Sequence, residues 1–117
     1  MAIEIRAART SDVKGIRKLI DLYAPQRRIL SKETVTLYES VQEFVVAVDG
    51  EKIVGCGAMH VLWEDVAEVR TVAVAEELRG KGVGHQILLK LIERAEAVGV
   101  KKIFCLTFET DFFGRHG

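Results

Sequence analysis

The hexapeptide Arg79-Gly80-Lys81-Gly82-Val83-Gly84 sets three glycines at alternate positions directly ahead of a run whose apolar residues recur every three or four positions. Those residues are Val83, Ile87, Leu88, Leu91, Ile92, Ala95 and Val98. Their spacing predicts an amphipathic helix, and Gly99 suits a left-handed cap at its end. Upstream, Ala67 to Val74 is rich in Val and Thr and predicts a strand; downstream, Lys102 to Phe108 predicts another. A strand, turn, helix, strand order is a crossover unit, so the two strands should be parallel with a right-handed connection. A ligand is expected at the carboxyl end of that unit, beside the glycine turn.

A helix N-terminus presents backbone N–H groups without an acceptor and the positive end of the helix dipole, which together make an anion site. Glycines at 80, 82 and 84 would let a ligand reach the main chain, and Arg79 and Lys81 add charge at the rim. A pyrophosphate fits both features. Two better-known glycine loops do not match. A dinucleotide fingerprint needs glycine at position 85, which is His85, and a phosphate-binding loop of the Lys-Ser/Thr type meets His85-Gln86 instead. Taken alone, the same glycines could serve a strand-to-helix turn with no ligand.

The rest of the chain supplies a sheet for this unit. Ile3 and Ile5 alternate with polar neighbours as a first strand, and Thr10 or Ser11 is placed to cap a helix carrying Val13, Ile16, Leu19, Ile20 and Tyr23 inward. Pro25 stops it. A second amphipathic segment runs from about Ser31 to Val41 on Val35, Leu37, Tyr38 and Val41. Phe44 to Val48, the Asp49-Gly50 dipeptide, and Lys52 to Trp63 read as a hairpin, because Asp-Gly adopts the positive φ angles of a primed turn. Glu64-Asp65 breaks the chain before the strand at 67, and Glu109 to His116 reads as the start of a last helix. The expected fold is α/β (α+β), one domain over 1–117 with a mixed central sheet flanked by helices in the order β-α-α-β-β-β-α-β-α.

At 117 residues with 49% apolar and 29% charged side chains, the chain has the balance of a folding single domain. Seventeen basic residues offset seventeen acidic ones, so the long-range field that draws nucleic acid or an anionic membrane is missing and any phosphate must be bound locally. Cys56 and Cys105 lie in strand-like runs without metal-site spacing, and are expected as buried free thiols with no metal bound. Met1 to Arg6 lacks the apolar core of a signal peptide and no apolar run approaches the roughly 20 residues of a membrane span. A cytoplasmic protein is the default expectation.

Arg79-x-x-Gly82-x-Gly84, preceded by Val69-Arg70-Thr71-Val72-Ala73-Val74, resembles the R/Q-x-x-G-x-G/A signature of the GNAT superfamily of acyl-CoA-dependent N-acyltransferases. The resemblance covers nearly the whole chain. It implies acetyl-CoA as co-substrate, its pyrophosphate held by Arg79, Gly80, Lys81, Gly82, Val83 and Gly84. It also implies that the pantetheine arm hydrogen-bonds to main chain at Val72, Ala73 and Val74, where the strand splays from its neighbour at 102–108. In that family a glutamate at the position of Glu68 often serves as general base. By strand alternation Arg70 lies on the face of Glu68, either as a rim ion pair or as the receiver of a substrate carboxylate. The tyrosine acid of many members has no counterpart in Asp111-Phe112-Phe113-Gly114.

A narrower likeness is to the amino-acid N-acetyltransferases that make N-acetylglutamate for arginine biosynthesis, carried by Ala67 to Val74, Val54-Gly55-Cys56-Gly57-Ala58, Leu106-Thr107-Phe108-Glu109 and Phe112 to Gly117. It implies an α-amino acid acceptor, direct transfer with Glu68 as base, and Thr107 assisting the leaving thiol. Cations before the hairpin, Arg28 and Lys32, would join Arg70 in holding carboxylates. Other amine acceptors, or a CoA-binding unit without turnover, stay open. His60 and His85 read as structural. The family pattern continues past Gly117 into two further strands that this sequence does not include, from which dimerisation, strand exchange or marginal stability is expected.

Overall fold

The computed structural model describes residues 3–23 and 34–105, with the side chains of Tyr23 and Cys105 left undescribed. Eight principal elements follow one another: β1 (Ile3–Ala7), α1 (Val13–Tyr23), α2 (Thr34–Glu39), β2 (Phe44–Asp49), β3 (Lys52–Trp63), β4 (Val66–Val74), α3 (Val83–Ala97) and β5 (Lys102–Cys105). The strands form one five-stranded sheet in chain order, β1-β2-β3-β4-β5. The first three pairings are antiparallel, and β4 with β5 is parallel across the α3 crossover. This is the mixed sheet flanked by helices that the sequence predicts. The expected helix at 109–116 and the distal part of the last strand lie outside the described residues.

Register assigns the two faces. Gly55 and Gly57 of β3 turn toward α3, where an added Cβ would meet Ile87 at 2.8 and 2.7 Å respectively. Val54, Cys56, Ala58 and His60 therefore point to the other face by alternation. That face carries α1, since a Cβ on Gly15 would strike Ile53 at 2.6 Å, and Ile53 pairs with Val48, one residue out of phase with the Ala47–Gly55 pair. The core is thus two apolar layers, one on each side of the sheet. Val13, Ile16, Leu19 and Ile20 of α1 are buried in one, and Val83, Ile87, Leu88, Leu91 and Ala95 of α3 in the other. Cys56 is buried and forms no disulfide.

Four local expectations change. Neither Thr10 nor Ser11 caps α1: residues Thr10–Asp12 form a 3-10 turn, and the Asp12 carboxylate accepts the Arg9 N–H at 2.7 Å. The same carboxylate takes two bonds from Arg6, at 2.7 and 3.1 Å, so an acid outcompetes the hydroxyls as the tie between β1 and α1. The expected primed turn between β2 and β3 forms one residue later, on Gly50-Glu51, with Asp49 paired to Lys52 and only Gly50 at positive φ (64°), a type II′ pattern. In α2 only Leu37 of the expected apolar set is buried, while Val35 and Tyr38 are exposed. At the end of α3, Val98 is 65% exposed because the helix stops at Ala97 and Gly99 (φ 99°) turns the chain toward Val100, which is buried instead.

Candidate active site

Two structural irregularities meet at the end of β4. The first is a bulge. Cys56 pairs with Ala73 and Ala58 with Arg70, so Thr71 and Val72 together stand opposite Gly57. Thr71 has φ 52°, among the described residues the one non-glycine in the left-handed region, and a β-branched side chain makes that conformation strained. The bulge reverses the facing of the strand: Glu68 and Arg70 share the α1 face, whereas Val72 packs toward α3 and lies 3.5 Å from where a Gly57 Cβ would be. It also takes main-chain groups off the ladder, where a ligand can reach them. Nothing in Val69-Arg70-Thr71-Val72 signals it; only pairing with β3 exposes the extra residue.

The second is the glycine turn. A 3-10 turn at Glu76–Leu78 leads from β4, and Leu78 and Val83, both 4% exposed, anchor the turn at either end. Lys81 N–H donates to Leu78 O at 3.2 Å, closing the turn, and Gln86 N–H reaches Gly82 O at 3.1 Å as the first bond of α3. Gly80 and Gly82 have φ of 80° and 83°, and an added Cβ at either would meet nothing within 4 Å. The glycines are therefore needed for backbone conformation, and the space above them is open for a ligand. Arg79, Lys81 and Gly82 are exposed, while the Val83 side chain points into the core and offers only its amide. The first-turn amides of α3 carry the helix's positive end toward that space.

On β4, ahead of the bulge, lies the candidate acid–base group. Glu68 Oε1 accepts a hydrogen bond from Arg70 Nε at 2.7 Å, with Glu68 the more sheltered partner at 14% side-chain exposure and Arg70 at 39%. The ion pair anticipated from alternation is therefore formed. Arg70 keeps further N–H donors on its guanidinium beyond the one given to Glu68. Across the strand, Glu68 is paired with His60, whose Nδ1 lies 2.8 Å from Glu43 Oε2. His85 sits exposed on the first turn of α3. Arg28, Lys32 and Thr107 lie outside the described residues. Among the described residues no cluster of His, Cys, Asp or Glu is arranged to hold a metal.

Residues 14–117 match the model of the acetyltransferase (GNAT) family. The chain belongs to the GNAT family. The five-stranded mixed sheet and the glycine turn of this GNAT chain are those the sequence resemblance led us to expect. An amino-acid acetyltransferase of Mycobacterium tuberculosis is 52% identical over 116 residues, covering 97% of this chain and 66% of the relative. An uncharacterized N-acetyltransferase of Chlorobaculum tepidum is 35% identical over 117 residues, 73% of its length. A crystal structure from M. tuberculosis, solved with CoA and a second ligand, superposes with a TM-score of 0.91 at 51% identity over 97% of this chain and 70% of that one. The N-acetylglutamate synthase of Neisseria gonorrhoeae, complexed with coenzyme A and N-acetyl-glutamate, superposes with a TM-score of 0.94 at 25% identity, over the whole of this chain and 28% of that one. The GNAT chain thus spans just under two thirds of its M. tuberculosis relative and about a quarter of the N. gonorrhoeae structure.

Sequence reasoning missed one tethering residue. Arg94 on α3 donates to Phe44 O at 3.0 Å and Gln42 O at 2.6 Å, fastening the helix to the segment that enters β2. Its only sequence sign is a cation in the last turn of a helix, which ordinarily marks a favourable dipole interaction.

Proposed function

We propose that this chain is the catalytic core of an acetyl-CoA-dependent N-acetyltransferase that acetylates the α-amino group of L-glutamate. The observation that carries the reading is the juxtaposition, along one strand, of Glu68, the Thr71 bulge and the glycine turn into α3. The turn at Arg79, Gly80, Lys81, Gly82, Val83 and Gly84 suits a pyrophosphate, through open main chain and two flanking cations. Main chain at Val72, Ala73 and Val74 would bind the pantetheine arm. The acetyl thioester supplies the activated acyl group; the protein's residues supply orientation and proton management.

In the proposed reaction Glu68 takes a proton from the substrate ammonium. With Oε1 committed to Arg70, Oε2 is the oxygen left for that work. The neutral amine attacks the acetyl carbonyl, and main-chain N–H groups at the bulge would stabilise the developing oxyanion. Collapse transfers the acetyl group directly, and Thr107 would donate a proton toward the departing thiolate. Arg70, through its remaining donors, would receive a substrate carboxylate, joined by Arg28 and Lys32. The M. tuberculosis amino-acid acetyltransferase and the N-acetylglutamate synthase support this choice of acceptor. The enzyme would work in the cytoplasm as a homodimer; light scattering that finds only monomer across concentration would remove that last element.

The deciding experiment is a thiol-release assay with acetyl-CoA against a panel of amino acids, alongside Glu68→Gln. Turnover on glutamate reduced at least about 100-fold in the variant is the expected result, in line with loss of a general base. Turnover on polyamines or protein lysines alone would replace the acceptor. A rise in melting temperature with acetyl-CoA but no turnover on any amine would reduce the chain to a CoA-binding unit.

A further inference from the structure

The Glu43–His60 pair has no part in the reaction as described, yet it borders the proposed base. His60 stands directly across from Glu68 in the β3–β4 ladder, on the same face of the sheet, and its Nδ1 is 2.8 Å from Glu43 Oε2. Directly opposed residues on an antiparallel pair hold their Cβ atoms roughly 4.5–5.5 Å apart. With Nδ1 engaged by Glu43, Nε2 is the ring nitrogen left for another group, and Glu68 is the titratable residue opposed to His60 across the β3–β4 ladder. Both partners are accessible, His60 at 37% and Glu43 at 32%. They line an open cavity of about 290 Å³ on the β2 and α3 side, together with Gln42, Met59, Val61, Arg94 and Val98. The charged and titratable groups around the ring are therefore Glu43 before β2, Glu68 and Arg70 on β4, and Arg94 on α3.

We propose that Glu43 and His60 form a proton relay that returns Glu68 to its basic state, a role that rests on the reading of Glu68 as the base. An ionised Glu43 accepts the Nδ1–H and holds the ring in the tautomer whose Nε2 carries the lone pair. The proton that Glu68 Oε2 removes from the ammonium passes to His60 Nε2, directly or through one water, giving an imidazolium paired with the Glu43 carboxylate. The imidazolium then releases its Nε2 proton to solvent, to which the half-exposed ring is open. Glu68 is again a carboxylate and His60 again neutral, so one proton has moved from ammonium to solvent with no change in the protein. His60 is a positioning and relay residue and makes no contact with the acetyl group.

The first test needs no turnover. In nitrogen NMR of the full chain, with His60 assigned by its absence from His60→Gln, wild type should show Nδ1 protonated, and Glu43→Gln should shift the ring toward the other tautomer. Glu68→Gln should move the Nε2 resonance; a ring indifferent to position 68 overturns the relay. The second test is kinetic. His60→Ala should lower kcat on the acceptor about tenfold or more with the KM for acetyl-CoA unchanged, and added imidazole should restore part of the rate in His60→Ala but none in Glu68→Gln. A loss in His60→Ala that imidazole does not relieve overturns the relay. If wild type acetylates no amine, the proposed function fails, while the NMR comparison still decides the pairing.

Discussion

Asp12 joins three groups at once, both guanidinium nitrogens of Arg6 and the Arg9 N–H, at 2.7 to 3.1 Å. The hydrogen bond from Arg6 is the main cause holding its carboxyl below the ordinary carboxylate range, against a desolvation that acts in the opposite direction. Because the folded pKa is depressed, the stability this group provides is fully present above its unfolded value of about 3.9 and is lost as pH falls through the folded value. Asp12→Asn should therefore lower Tm at pH 7, by roughly 1–3 kcal/mol of stability. Thermal melts from pH 7 down to 2 should show the gap to wild type closing below about pH 4. A gap independent of pH would mean the carboxylate charge is immaterial. At Gly82, φ 83° makes any L side chain strained by about 1–2 kcal/mol, while the space around it is empty. Gly82→Ala should fold with a slightly lower Tm and lose most of the thermal shift that acetyl-CoA produces in wild type.

Elements meet here through missing side chains as much as through present ones. α3 can lie close over β3 because Gly57 has no Cβ; an added one would stand 2.7 Å from Ile87 Cγ2 and 3.1 Å from Leu91 Cδ1. Ile87 Cγ2 is fixed at a branched Cβ inside a helix, so it cannot swing aside. Gly57→Ala is expected to destabilise by about 1–3 kcal/mol as an overpacked contact. It should also displace the start of α3 from β4, weakening acetyl-CoA binding in a titration calorimeter. Arg94→Ala separates the two effects: it frees the far end of α3 from Gln42 and Phe44, and should raise hydrogen exchange in that lead-in to β2 while leaving acetyl-CoA affinity unchanged. Of the elements, α3 and the antiparallel strands were legible because their periods are long and regular. The short helix α2 was expected, but not which of its residues would be buried, since six residues carry less than two turns of pattern and neighbouring packing chose Leu37 alone.

For the molecule as a whole, formal charge is zero, with 17 cations against 17 anions. Affinity for an anion must then come from the local array at the α3 N-terminus, not from a general field. The chain should pass through a polyanion column unretained at moderate salt; retention would show a basic face that the net balance conceals. Acetyl-CoA at about 100 times its Kd should stabilise the fold by roughly 2.7 kcal/mol, visible as a higher Tm.

What the amino-acid order determined by itself was periodic or local: the strand and helix pattern around the glycine turn, the open main chain at its glycines, the left-handed cap at Gly99, and the common face of Glu68 and Arg70. These follow from side-chain spacing and from backbone angles that glycine alone adopts easily. Only the tertiary structure decided the bulge at Thr71, the capture of the Arg9 N–H by Asp12, and the placing of His60 between Glu43 and Glu68. Each depends on which residue of another element lies opposite. Strand register and long-range ion pairing are set by contacts between residues far apart in the chain, and no local spacing encodes them.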